Sequence, residues 1–261
     1  MPKIKLLVSY DGTDFCGWQK QKDHAFAPEL PSVQETIEKG LEKIFRHPID
    51  LCASGRTDAG VHAIGQVCHF ETDRPLPKDL CWALKPQLPD SIAPKAAWIA
   101  PDEFHATLSA VKKTYRYWIW NHPRSSALLT RYSWWIRNPL DLDFMNQASQ
   151  YLIKHQDFES FRSVGTPVKH TFREIYGAQW AYKKPNLIEF RVTGNGFMKQ
   201  MVRNIVGTIV DLNQKNQQVT RMQEILDAKD RRKAGPTAPP QGLFLSKVYY
   251  PKDLDNKCRQ I

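Results

Sequence analysis

Gly55-Arg56-Thr57-Asp58-Ala59-Gly60-Val61-His62-Ala63 sets a carboxylate and a guanidinium two residues apart between glycines. Glycine lets a backbone turn sharply or approach a ligand closely. A carboxylate on such a turn stays ionised beside a positive charge, and a held, ionised carboxylate is a nucleophile or a base. Asp58 is therefore the candidate catalytic group. Arg56 is its candidate partner, although surface ion pairs and Asx turns use the same spacing. Asp58 and His62 also resemble two ligands of a metal fragment, but no third ligand adjoins them, and a packed or hydrogen-bonded His62 is the expectation. A glycosidase-like carboxylate pair needs a second acid. None adjoins Asp58 in sequence; Asp11, Asp14 or Glu71 reach it only through folding.

The elements that must position this turn are legible as hydrophobic periods. Ile4, Leu6, Val8 and Tyr10 alternate as in a strand. Ser32 and Glu35 form a capping-box signature ahead of helically spaced Val33, Ile37, Leu41 and Ile44. Extended runs are predicted at 49–54 and 65–71, on either side of the Asp58 turn, with a short helix at 78–86 and a last extended piece at 96–99. The second half repeats the order. It has a strand at 114–120, a helix capped by Asp143, and extended runs at 172–181 and 187–193 around a hairpin turn at 183–186. A helix at 197–212, a second capping box at Thr220 and Gln223, and a strand at 243–249 follow. The expected fold is α+β: two ferredoxin-like or RRM-like halves, residues 1–107 and 108–261, with antiparallel sheets side by side, helices on one face and an active-site cleft between the halves.

Charge separates the halves. Residues 1–107 carry 12 Lys/Arg against 15 Asp/Glu, and residues 108–261 carry 25 against 12, within a chain of formal net charge +10. A polyanionic partner that leans on the second half is expected. Lys112, Lys113, Arg116, Lys169, Arg173 and the run Arg231-Arg232-Lys233 are candidate phosphate contacts that together make an electrostatic track. Arg203 lies in an apolar helical run four residues after Lys199, and both are expected to project from a similar side, toward water, phosphate or a carboxylate. The five scattered cysteines form no C-x-x-C pair, which argues for reduced thiols in a cytoplasmic protein. No signal-peptide layout or membrane-spanning apolar run is evident. There is no nucleotide-binding loop and no convincing metal spacing.

The nine-residue string resembles the active-site segment of the TruA family, the tRNA pseudouridine synthases of the anticodon stem-loop. The resemblance extends to Tyr10-Asp11-Gly12-Thr13-Asp14-Phe15-Cys16-Gly17-Trp18-Gln19-Lys20-Gln21, to Ser32-Val33-Gln34-Glu35, and to Phe104-His105-Ala106 and Tyr115-Arg116-Tyr117. It continues through Phe197 with Met201-Val202-Arg203-Asn204-Ile205-Val206-Gly207, and through Ala238-Pro239-Pro240-Gln241-Gly242-Leu243. It implies isomerisation of uridine to pseudouridine at tRNA nucleotides 38, 39 and 40, an essential role for Asp58, no cofactor and a homodimer. It also implies Tyr115 as the stacking platform for an extruded uridine, Arg203 as an active-site cation paired with the aspartate, and Leu243 as an apolar lid. The connection at 22–31 is longer than expected for the family. A non-catalytic protein with tandem RRM-like halves is the main alternative, but it needs an RNP1-type string, and none is present. A nucleoside hydrolase leaves the basic half unexplained.

Overall fold

A computed structural model describes residues 1–20, 30–163, 165 and 168–261 of the chain. Residues 22–29 of the expected long connection lie outside the described residues. The chain divides into two compact units. The first comprises Met1–Val111 and Leu245–Ile261, and the second Lys112–Phe244.

In chain order the first unit contains β1 (Lys3–Tyr10), α1 (Val33–Phe45), β2 (Cys52–Ala53), β3 (His62–Glu71), α2 (Leu80–Leu84) and β4 (Ile92–Ala100). β1 pairs antiparallel with both β3 and β4, and β2 pairs with β3, giving the order β4-β1-β3-β2 expected of a ferredoxin-like sheet. The alternation in β1 works as read. Ile4, Leu6, Val8 and Tyr10 are all buried, on the face that also receives the apolar stripe of α1. That stripe is Val33, Ile37, Leu41 and Phe45, with Phe45 rather than Ile44 as its last member. Ser32 caps α1 by accepting from Glu35 N at 3.1 Å, which satisfies one of the helix's orphan donors.

The second unit holds β5 (Lys112–Asn121), β6 (Trp134–Ile136), α3 (Leu142–Gln150), β7 (His155–Asp157), β8 (Phe172–Lys184), β9 (Leu187–Gly194), α4 (Met201–Gln214) and α5 (Arg221–Ala228). β9 lies between β5 and β8, antiparallel to both. The β8–β9 hairpin turns through Asn186 at φ +63°, a left-handed conformation that asparagine tolerates. α4 is buried around most of its circumference, because the chain at 235–238 crosses it: a Cβ on Gly207 would lie 1.8 Å from the Pro236 carbonyl oxygen. α3 is capped by Asp141 rather than Asp143. Thr220 precedes α5 without a side-chain capping bond.

Three further expectations change. The chain after Phe244 does not stay with the second unit. β10 (Leu243–Tyr249) carries it back, and α6 (Lys252–Asn256) and β11 (Arg259–Gln260) complete the first unit, with β11 paired on β4. The return is held by Lys5 Nζ bonding Asp255 Oδ1 at 2.6 Å beneath the rings of Trp98, Phe104 and Tyr250, and by Tyr250 donating to Ala106 O. A 7 % exposed lysine on a strand is tolerable because its charge is paired and its stem is packed on aromatics. Second, α4 begins at Met201 rather than 197, because Gln200 takes φ +59°. Lys199 therefore sits in the preceding turn and does not share a helical face with Arg203. Third, Glu71 ends β3 opposite Lys3. Nine residues of strand, about 30 Å, separate it from His62, so it cannot be a second acid beside Asp58.

Among the described residues, no helix is long and apolar enough to cross a membrane.

Candidate active site

Asp58 lies on a four-residue turn closed by Val61 N donating to Asp58 O at 3.1 Å, with Gly60 at φ +74°. Asp58 is half-buried and Arg56 is exposed. The approach to the turn is tied to β3: Gln66 Nε2 donates to Gly55 O, and Ser54 Oγ donates to Gln66 Oε1, both at 2.8 Å. Gln66 is fully buried, so its amide is engaged at both ends, as burial requires.

The segment 10–18 forms the other wall. Tyr10 Oη and Thr57 Oγ1 share a hydrogen bond of 2.8 Å. Trp18 N donates to Thr57 O at 3.0 Å, and Gly17 forms an antiparallel bridge with Asp58. Beyond the turn, Gly12 N donates to His62 Nδ1 at 3.0 Å, and the same ring nitrogen lies 3.1 Å from Asp11 Oδ1. His62 is 1 % exposed. Asp11 is thus brought to His62, and the expectation of a hydrogen-bonded imidazole there describes the structure. The wall is itself anchored to α1, since Gly17 O and Trp18 O accept from Val33 N and Gln34 N.

In the second unit, Tyr115 on β5 is buried and meets Phe197 edge-on, ring centroids 5.1 Å apart. Tyr117 shares its strand face and donates to Pro239 O at 2.7 Å. Burial holds the Tyr117 phenol well above the ordinary tyrosine range, against the opposing pull of the Arg203 charge. Arg203 Nε donates to Ala238 O at 2.8 Å, and Ala238 N returns a bond to Arg203 O. Leu243, 5 % exposed, follows directly on this stretch at the start of β10. Tyr115 and Phe197 are brought together, and the chain before Leu243 is fastened to Arg203.

The candidate phosphate contacts divide. Lys169, Lys199 and Lys233 are exposed, and Lys112 is half-buried. Burial lowers the proton affinity of Lys113. Arg173 donates to the His170 and Phe172 carbonyls. Arg232 reaches back to Asp230, whose carboxyl it holds down at about 2 together with its own backbone N–H. Arg231 turns inward: Nη2 donates to Asn204 Oδ1 and Thr237 Oγ1, each at 3.1 Å, and Nη1 donates to Gly235 O at 2.8 Å. Its guanidinium serves the fold. Arg116 faces Glu189, and Lys183 and Arg191 face the same carboxylate, at 3.6, 3.7 and 3.0 Å. Lys183 and Arg191 were missed in the sequence, because only the register of β5, β8 and β9 gathers them.

Cys52, His69 and His105 offer three donor atoms within 4.8 Å of one another, the metal-like group found among the described residues. Their hydrogen bonds oppose that use. His69 Nδ1 accepts from Ala106 N, and His105 Nδ1 accepts from Thr107 N and Leu108 N, all at 3.2 Å. A ligating histidine ordinarily donates its second ring N–H, whereas here each second nitrogen faces a donor and must be bare. Both rings are therefore Nε2–H tautomers, and His105 Nε2 lies 3.8 Å from Cys52 Sγ. Burial, the neighbouring His105 and Lys3 push the His69 pKa down to about 4. The cluster is knit together by these hydrogen bonds.

The chain belongs to the tRNA pseudouridine synthase family, whose pattern matches residues 6–107 and 148–251. Among its relatives, a tRNA pseudouridine synthase A from Bdellovibrio bacteriovorus is 57 % identical over 99 % of this chain and 99 % of its own length. Proteins of the same name from Ruminiclostridium cellulolyticum and Hydrogenovibrio crunogenus are 41 % and 39 % identical. They cover 96 % and 98 % of this chain and 100 % and 95 % of their own lengths.

Proposed function

We propose that this enzyme isomerises uridine to pseudouridine at nucleotides 38, 39 and 40 of the tRNA anticodon stem-loop, with Asp58 as the essential carboxylate. The observation that carries this reading is the Asp58 turn itself: a half-buried carboxylate on a glycine-shaped turn, gripped by backbone and side-chain bonds on both sides. The reaction breaks the bond from ribose C1′ to uracil N1, rotates the base, joins C1′ to C5 and moves the C5 proton. The net reaction exchanges the C1′–N1 bond for a C1′–C5 bond, the C5 proton leaves to solvent while N1 takes one up, and nothing is oxidised or imported, so no cofactor is called for. Asp58 attacks C1′, attacks the uracil ring, or removes a ribose proton; each route uses its anionic form.

A stacked uridine must leave its helix before a carboxylate reaches it. Tyr115, braced by Phe197, serves as the platform for the extruded base, Leu243 covers it, Arg203 supplies the cation at the site, and Arg56 assists extrusion. The second unit carries 21 Lys/Arg against 10 Asp/Glu, a balance suited to phosphate. Exposed Lys169, Lys199 and Lys233, with Lys112, Lys113 and Arg116, make the track, and recognition rests on stem-loop shape. The enzyme acts in the cytoplasm as a homodimer, which sedimentation equilibrium measures.

The deciding experiment incubates the protein with unmodified tRNA tritiated at uridine C5, without added metal or cofactor. Tritium release with the RNA chain intact is expected. Binding without release points instead to a non-catalytic RNA-binding protein, and free uracil to a hydrolase.

A further inference from the structure

We propose that His62 is a positioning residue for Asp58, acting as the clamp that fixes the catalytic turn against the 11–13 turn. The claim rests on the reading of Asp58 as the essential carboxylate.

Segment 10–18 meets the Asp58 turn on both of its sides. On the near side, Thr57 and Asp58 are held by Tyr10, Gly17 and Trp18. On the far side, Gly12 N donates to His62 Nδ1, four residues past Asp58. Contact there is tight enough to make position matter, since a Cβ on Gly12 would lie 2.1 Å from the Val61 carbonyl oxygen. Val61 also closes the turn through its N–H to Asp58 O. Gly12 thus abuts the residue whose N–H closes the Asp58 turn.

Nδ1 accepts the Gly12 N–H at 3.0 Å, and Asp11 Oδ1 lies 3.1 Å from the same nitrogen. Asp11 is fixed in turn, because the same Oδ1 accepts from Thr13 N and Thr13 Oγ1. Asparagine places its Oδ1 close to where Nδ1 stands and can accept from Gly12 N, whereas leucine fills the space without accepting. A displacement of about 1 Å at a catalytic group costs on the order of 10²-fold in rate.

The test compares His62→Asn with His62→Leu. Where the leucine variant does not fold, His62→Ala is read in its place. Gly12 amide exchange is followed in protein labelled with ¹⁵N-glycine, tRNA affinity by filter binding, and single-turnover tritium release at saturating enzyme. His62→Leu is expected to lose Gly12 protection by at least about tenfold and rate by about 10²-fold, with affinity within about twofold of wild type. His62→Asn is expected to retain most of both. Retained Gly12 protection in His62→Leu overturns the clamp. Lost protection with full rate overturns its link to Asp58, and an asparagine variant as slow as leucine overturns the role of the acceptor. A wild-type protein that binds tRNA but releases no tritium defeats the functional reading instead, and Gly12 exchange then still passes judgement on the clamp.

Discussion

Gly17 and Asp58 face each other in an antiparallel bridge, and the glycine's bare Cα is what permits the approach: a Cβ there would lie 2.8 Å from the Thr57 carbonyl oxygen. Gly17 also sits at φ +113°, where other residues are strained. Gly17→Ala is expected to cost about 1–3 kcal/mol and to slow tritium release more than it weakens tRNA binding. Urea denaturation and filter binding measure the two effects. An alanine variant with native stability and rate would show that the bridge does not shape the turn.

Asp58→Asn keeps the side chain's size and removes its charge. Turnover is expected to fall by more than about 10³-fold while tRNA affinity stays near wild type, since the track of basic residues is untouched. An active Asp58→Asn enzyme overturns the assignment.

Tyr115→Phe preserves the edge contact with Phe197 and removes only the hydroxyl. Affinity for tRNA is expected to persist. Loss of about 10²-fold in single-turnover rate assigns the hydroxyl to proton transfer from uracil C5; an unchanged rate leaves Tyr115 as a platform alone.

Arg231 and Lys233 are two residues apart, the first bonded inward and the second exposed. Asn204, fully buried, accepts from Arg231 Nη2 and Thr237 Oγ1 and donates to Phe161 O. Asn204→Ala strands these partners and is expected to cost about 2–4 kcal/mol by urea denaturation. Arg231→Ala should likewise lower stability. Lys233→Ala should leave stability unchanged and reduce the slope of log affinity against log salt by about 1. The reverse pattern would place Arg231 on the RNA.

His69 imposes an acid limit. Its pKa of about 4 in the folded protein, set chiefly by burial, lies below the ordinary histidine value of 6.5. The unfolded chain therefore binds more protons between these values, and stability falls as pH drops from about 6.5 toward 4. Protonation also destroys the acceptor that receives Ala106 N. Denaturation midpoints across this window should decline in wild type and flatten in His69→Asn. An equal decline in both variants would move the effect to another group.

Much of the framework was legible because its causes are local. β1, the Ser32 cap and the apolar stripe of α1 follow from neighbour spacing and backbone donors within one turn. β6, β7 and β11, at two or three residues each, are too short to carry a period. The start of α4 was misplaced because Phe197 and Met198 continue the apolar spacing, yet Gln200 adopts a left-handed backbone that breaks the helix before it begins.

The sequence by itself determined which groups are available: the glycine-flanked Asp58, the aromatic β5, the basic imbalance, and the local elements that bear them. Only the tertiary structure decided which groups meet. It gave Asp255 to Lys5 across 250 residues, His62 to Gly12, Arg231 to Asn204, and three cations to Glu189. Periodicity and capping act through bonds a few residues long, whereas these pairings satisfy buried polar groups with whatever partner the packed chain brings within reach. No local pattern records that choice.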